Sequence, residues 1–263
     1  MFDEIKMIGE EDDVANLGLV LKLVRKIRLF EDTQIAIVMV PLGIGVLLAY
    51  HLWLMITIKR NPRRTVIGLN AESRRIWVSC MMSDPIKNGV LAIQTIRNNI
   101  MASTLLATIA ITLSSLISVY VSNQSSSCEG LNITTVSSVK FFAVLICFLA
   151  AFLCNVLSIR YYAHTSFLVT VPTYRDRKDT IEYVATNLNR GGLFWSLGLR
   201  AFYLSFPLFV WVFGHIPMFV CCCVMSCILY FLDTTTNFTR DLYTQSVNGT
   251  GEDLESAAVQ PAA

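Results

Sequence analysis

The stretch FFAVLICFLAAFLCNVLSI, Phe141–Ile159, contains no charged residue, and its reading decides the fold class. A helix needs roughly 20 apolar residues to cross about 30 Å of hydrocarbon, and this segment has that length. Three more stretches lack Asp, Glu, Lys and Arg: Ile35–Ile58, Ile100–Val121 and Ala201–Leu232. Lipid offers the backbone no water, so each segment must satisfy its own amides as a helix rather than as an open strand. Only 15% of the 263 residues are charged and 54% are hydrophobic, whereas a soluble domain carries about a quarter charged residues. The sequence therefore predicts an all-α integral membrane bundle of about four transmembrane helices. The predicted organisation is an amino-terminal extension over 1–34, a transmembrane domain over 35–232, and an acidic tail over 233–263 whose composition reads as disordered.

Charge placement orients the bundle. Eight Lys and Arg residues fall in the Lys59–Arg97 connector and six between Arg160 and Arg200, against none in Ser122–Val139. The positive-inside rule then places the two basic connectors in the cytoplasm and both termini outside. Asn-X-Ser/Thr triplets at Asn123, Asn132, Asn237 and Asn248 agree with that reading, with Asn132 and Asn248 the candidates far enough from the bilayer for glycosylation. The extension argues the other way. Leu17, Val20, Leu21, Val24 and Ile27 share a helical face beside Lys22, Arg25, Lys26 and Arg28, a pattern that favours anionic cytoplasmic leaflets. It lacks the layout of a cleavable signal peptide, so the first span is expected to act as the signal in a plasma membrane or another endomembrane.

Within the connectors, Ala71–Met82 predicts a short interfacial helix with Ile76, Trp77 and Val78 toward lipid. The third span can run from Val139 to Val171, roughly 50 Å and longer than a bilayer needs. Ala201–Leu232 is too long for one straight crossing, and Pro207, Gly214 and Pro217 predict a kink or break near Gly214–Pro217. A re-entrant hairpin there would put the carboxyl terminus inside, against the placement of the Asn-X-Ser/Thr triplets.

Candidate functional residues are few. Polar groups inside a membrane mark sites by default, which singles out His51, Asn155 and His215 as an intramembrane polar site, with Asn155 expected opposite the break. The plainer reading is one inter-helix hydrogen bond from Asn155 and two histidines near interfaces. Small residues form stripes at Ser103, Ala107, Ala110, Ser114 and Ser118, and at Ala143, Cys147, Ala150, Cys154 and Ser158. Such stripes let helix backbones approach closely in lipid, with Ala107 and Ala110 expected to face Cys147 and Ala150. The line Thr104, Thr108, Thr112 and Ser115 reads either as pore lining or as hydroxyls bonded to their own helix. Cys221, Cys222, Cys223 and Cys227 have no accompanying ligand spacing and read as apolar filler. Cys128 stands alone in its loop and suits a bridge between two chains.

Longer motifs add a resemblance. TVIGLN (Thr65–Asn70), RRIWV (Arg74–Val78), KNGVLAIQTIRNNIMAST (Lys87–Thr104), SIRYYAH (Ser158–His164), NRG (Asn189–Gly191) and WSLGLRAFY (Trp195–Tyr203) resemble a plant and bacterial family of multi-pass membrane proteins catalogued as a domain of unknown function. The likeness runs from Pro41 to Thr236, implies a plant-type protein with about four spans, and supplies no activity or catalytic residue.

No nucleotide loop, nucleophile elbow, zinc-protease motif or paired intramembrane carboxylate is present, so neither an enzyme nor a cofactor nor a metal site is expected. Nothing in the sequence suggests nucleic acid as a partner. The leading expectation is a scaffold or regulatory membrane protein that binds partners or lipids, with anionic lipids or acidic protein segments at the basic connectors and self-association as a homo-oligomer. The competing expectation is a small-solute or ion channel or transporter, for which a broken last helix would supply the site.

Overall fold

The computed structural model describes residues 34–125, 131–171 and 177–235. In chain order these form α1 (Gln34–Arg60), a 3-10 turn (Pro62–Arg64), α2 (Val66–Met81), α3 (Pro85–Ser125), α4 (Leu131–Leu168), α5 (Arg177–Val210) and α6 (His215–Asp233). The fold is all-α, and the described residues add only one isolated β-bridge, between Thr65 and Thr234. Five helices (α1, α3, α4, α5 and α6) are long and apolar enough to cross a membrane. The expected count of about four is corrected to five because the last uncharged stretch divides. α5 ends at Val210, Val212 and Phe213 close tight turns onto Phe209 and Val210, and α6 starts after Gly214. Pro217 falls in the first turn of α6, where a missing amide hydrogen costs nothing.

Register is read from paired residues. Ser103 meets Ser158, and Tyr120 packs on Phe141, so α3 and α4 run antiparallel. Ser158 to Gly191, Phe148 to Phe202 and Lys140 to Trp211 form one antiparallel series between α4 and α5. Gly43 faces Cys222 and Trp53 packs on Tyr230, so α1 and α6 run parallel. The amino end of α1, the carboxyl end of α3, the amino end of α4 and the α5–α6 break therefore share one face, and the basic connectors share the other. The carboxyl end of α6 also reaches the basic face. The Thr235 amide bonds the Arg64 carbonyl at 3.3 Å, which corrects the expectation of a carboxyl terminus opposite the basic connectors.

α3, α4 and α5 have 41, 38 and 34 residues. At 1.5 Å per residue each is roughly 50–60 Å long, well beyond the ~30 Å of hydrocarbon. Their excess length projects on the basic side and builds a second core there with α2. Val78, Met82, Ala92, Ile96, Tyr162, Val184, Ala185 and Leu188 form that core. Val78 is fully buried in it and Trp77 packs against it, so the expected lipid-facing role of these two residues is corrected. The membrane core is separate and contains Leu47, Val144, Cys147, Phe148, Leu208, Met218 and Cys222.

The small stripes meet. Ser103, Ala107, Ala110, Ser114, Cys147 and Ser158 are all buried. The Ser103–Ser158 contact at 3.4 Å sets Ala107 level with Cys154, two turns from the expected Cys147 and one from the expected Ala150, and Ala110 level with Ala150 and Ala151. Thr104, Thr108, Thr112 and Ser115 are exposed, and each hydroxyl donates to the carbonyl one turn back at 2.8–2.9 Å. That polar line is satisfied within its own helix.

Candidate functional site: a basic cleft between α2, α5 and α6

The membrane-buried polar residues do not converge. His51 Nδ1 donates to the Leu47 carbonyl at 2.8 Å within α1. Asn155 is fully buried, with Nδ2 donating to the Ala151 carbonyl at 2.8 Å. It lies against Gly198 of α5, where an added methyl would come within 2.6 Å of Nδ2, not opposite the break. His215 opens α6 at the far end of the bundle. At the break, Lys140 of α4 donates its ammonium to the Trp211 carbonyl at 3.1 Å and stands 5.5 Å from the indole centre. A carbonyl freed by the end of α5 thus has a partner. Cys222 packs against Gly43 as a buried apolar side chain. Residues 1–33, Cys128 and Asn248, and the side chain of Asn132, lie outside the described residues.

The structure instead brings together residues that flank the uncharged stretches. Arg200 and Asp233 bracket Ala201–Leu232, and folding that stretch into a hairpin returns one to the other. Arg200 Nη2 donates to both Asp233 oxygens, at 2.9 and 2.8 Å, and each side chain is only 13% exposed. Tyr50 of α1 donates its hydroxyl to the same carboxylate. One largely enclosed pair therefore ties α1, α5 and α6 at the basic face.

Beside the pair lies a cavity of about 590 Å³ between α2, α5 and the end of α6, within the size range of small-molecule sites. α5 supplies Asn189, Arg190, Leu193, Ser196, Arg200 and Tyr203 along one face at helical spacing. α2 supplies Ile67, Asn70 and Arg74, and α6 supplies Leu229, Leu232 and Asp233. The lining is graded: Arg74, Asn189 and Arg190 lie toward the basic-side core, and Leu199, Leu229 and Leu232 toward the bilayer. Three arginines face one carboxylate. That carboxylate is engaged by Arg200, and among the described residues neither Arg74 nor Arg190 has an acidic partner.

Local packing explains how α2 is held there. The Thr65 hydroxyl caps α2 by accepting from the Gly68 amide at 3.2 Å. Asn189 Nδ2 donates to the Ala71 carbonyl at 3.1 Å, and Arg75 pairs with Glu182 at 2.6 Å. The Arg74 guanidinium rests on bare Gly192, where an added methyl would overlap Nη1. Against this order, three buried polar atoms on cavity residues lack partners: Asn189 Oδ1, Trp195 Nε1 and Arg200 Nη1. Buried polar groups are almost always paired, and here three unpaired ones belong to residues around one cavity. Sequence reasoning missed Tyr50, Arg74, Trp195, Arg200 and Asp233. The available signal was the position of Arg200 and Asp233 at the two ends of an uncharged run too long for one crossing.

A second cavity, of about 560 Å³, lies between the carboxyl-terminal part of α3 and the amino-terminal part of α4 and is lined chiefly by Ile117, Val121, Val139, Phe141, Phe142 and Leu145. Among the described residues its lining carries no charge.

Residues 38–238 match the family described as "Protein of unknown function, DUF599". No curated protein and no solved structure matches the chain.

Proposed function

Because the chain belongs to the DUF599 family, whose description assigns no activity, we propose from its geometry that this multi-pass membrane protein works by binding lipid at its basic face rather than by conducting a solute. One observation carries the reading. Asn189 Oδ1, Trp195 Nε1 and Arg200 Nη1, all buried and unpaired, gather on the residues of one amphipathic cleft. Such a cleft at the ends of membrane helices suits a molecule with a polar head and an apolar body. The other polar side chains of the membrane region support the same choice. His51 and the hydroxyls of Thr104, Thr108, Thr112 and Ser115 are bonded within their own helices, and Lys140 occupies the carbonyl at the break. The remaining buried orphans, Ser114 Oγ, Asn155 Oδ1 and Ser226 Oγ, sit on three different helices.

The test is a pair of measurements on the full-length protein. Native mass spectrometry after release from mixed-lipid nanodiscs should retain a lipid adduct. Liposomes loaded with pH- and potassium-sensitive dyes should leak no faster with protein than without. Protein-dependent flux that Asn155→Leu abolishes would overturn the reading in favour of transport, and so would release of the protein free of lipid.

A further inference from the structure

We propose that the cleft binds the phosphate of an anionic phospholipid, with Arg74 and Arg190 as its forked donors and the acyl chains laid against Leu199, Leu229 and Leu232. This rests on the lipid-binding reading and specifies its ligand. The first ground is charge. Among the described residues Arg74, Arg190 and Arg200 line the cavity with Asp233 as the one acid, so that lining carries a cationic excess that a zwitterionic or neutral head would not offset. The second is donor chemistry. Arg74, Arg190, Trp195 and Arg200 donate hydrogen bonds and cannot accept them. Trp195 Nε1, between the two ends of the cleft, is among the orphans, and an oxyanion is the kind of acceptor it lacks. Guanidinium forks match phosphate geometry with two parallel bonds.

The third ground is position. α6 ends at Asp233 and α1 at Arg60, so this level of the bundle is where two membrane helices finish. The headgroup region begins at that depth, Trp195 and Tyr203 are the residue types that favour it, and Arg74 and Arg190 stand on its aqueous side. Along α5 the lining runs Arg190, Leu193, Ser196, Leu199, Arg200 and Tyr203, and because Arg200 is paired with Asp233 the uncompensated cation stands at the end away from the bilayer. A phosphate in free solution shares the head chemistry but would leave the leucines of the cleft uncovered.

The experiment follows thermal unfolding of the full chain in neutral detergent. Dioleoyl phosphatidate should raise the unfolding temperature, and dioleoyl phosphatidylcholine and inorganic phosphate should each leave it unchanged. Arg190 is exposed, so Arg190→Gln should unfold at the wild-type temperature without lipid and bind phosphatidate about tenfold more weakly. Arg74→Gln should weaken binding similarly, and Gly192→Ala should do so without removing a charge, by displacing the Arg74 guanidinium. Stabilisation by phosphatidate that survives both arginine substitutions would place the lipid elsewhere and sink this site while leaving lipid binding intact. Equal stabilisation by phosphatidylcholine, which carries the same phosphate beneath a cationic choline, would refute the requirement for an anionic head, and stabilisation by inorganic phosphate alone would refute the lipid. No response to any lipid would remove the lipid-binding reading as well.

Discussion

Replacing Asp233 by Asn tests the join on which the basic face depends. The carboxylate accepts two bonds from Arg200 Nη2 and one from Tyr50, so the amide would forfeit the charge attraction and leave a guanidinium in a site only 13% exposed. Breaking a buried pair by removing one partner costs about 3–5 kcal/mol. The residual exposure of both groups lets some solvent screen the loss, so we expect the lower end, about 3 kcal/mol. A domain of this size shifts by about 2–4 °C per kcal/mol, which makes the expected fall in unfolding temperature about 6–12 °C. The assay is thermal unfolding of detergent-purified protein, followed by intrinsic fluorescence. A double replacement, Arg200→Met with Asp233→Leu, removes both charges and should recover most of the loss, because the penalty lies in the unpaired charge rather than in the missing contact. An Asp233→Asn protein within a degree of wild type would refute the reasoning. So would a double variant that merely sums its two single losses.

Three further outcomes follow from the same geometry. Single-cysteine probes at Asn88 and Thr235 should label from one side of the membrane and a probe at Gln34 from the other; labelling of Thr235 together with Gln34 would contradict the course of α6. Ala110→Leu should overpack the α3–α4 contact and destabilise by about 1–3 kcal/mol, read as a lower unfolding temperature, whereas the same change at lipid-facing Thr108 should be near neutral. Gly198→Ala drives a methyl to 2.6 Å from Asn155 Nδ2 and should cost a similar amount, with Asn155→Ala restoring stability in the double variant; an unchanged unfolding temperature in Gly198→Ala would show that α4 and α5 do not approach there.

Much of this architecture is legible because membrane insertion writes its demands locally. Absence of charge over a fixed length sets a span, and small residues four and three apart set a contact face. The break in Ala201–Leu232 follows from Pro207, Gly214 and Pro217, and the overshoot of the third span from its length alone. What escapes depends on distant partners. Ile76-Trp77-Val78 looks the same whether it faces lipid or a protein surface, and the surface that covers Val78 exists only because α3, α4 and α5 all project past the bilayer. The side taken by the carboxyl terminus turns on whether the break bends the chain or reverses it, and no residue at the break distinguishes the two. His51, Asn155 and His215 stand out for being polar in apolar surroundings, yet a helix offers such side chains its own carbonyls one turn back. His51 and Asn155 each take that partner. The charges worth following stand just outside the uncharged segments, where Arg200 and Asp233 wait for a fold to join them.

The glycines of α5 show why a cleft forms at this level. Gly191 and Gly192 read in sequence as punctuation before the last hydrophobic stretch, but α5 runs through them without interruption. Each glycine inside a helix costs about 1 kcal/mol relative to alanine, so something must require the missing side chains. A methyl added at Gly191 would lie 2.9 Å from the Tyr162 ring, and one at Gly198 would lie 2.6 Å from the Asn155 amide. A methyl at Gly192 would run into the Arg74 guanidinium. Three bulky polar or aromatic groups, two from α4 and one from α2, are thus seated on bare α5 backbone. This draws α4 hard against one face of α5 and lets α2 cross beside another with a cation tucked beneath it. The space left over, between α2 and the returning α6, cannot close, because Arg74 on one side and the Arg200–Asp233 pair on the other hold charge that an apolar seam would strand. A cleft bounded by charge near the bulk phase and by leucine near the bilayer is the packing solution these residues permit.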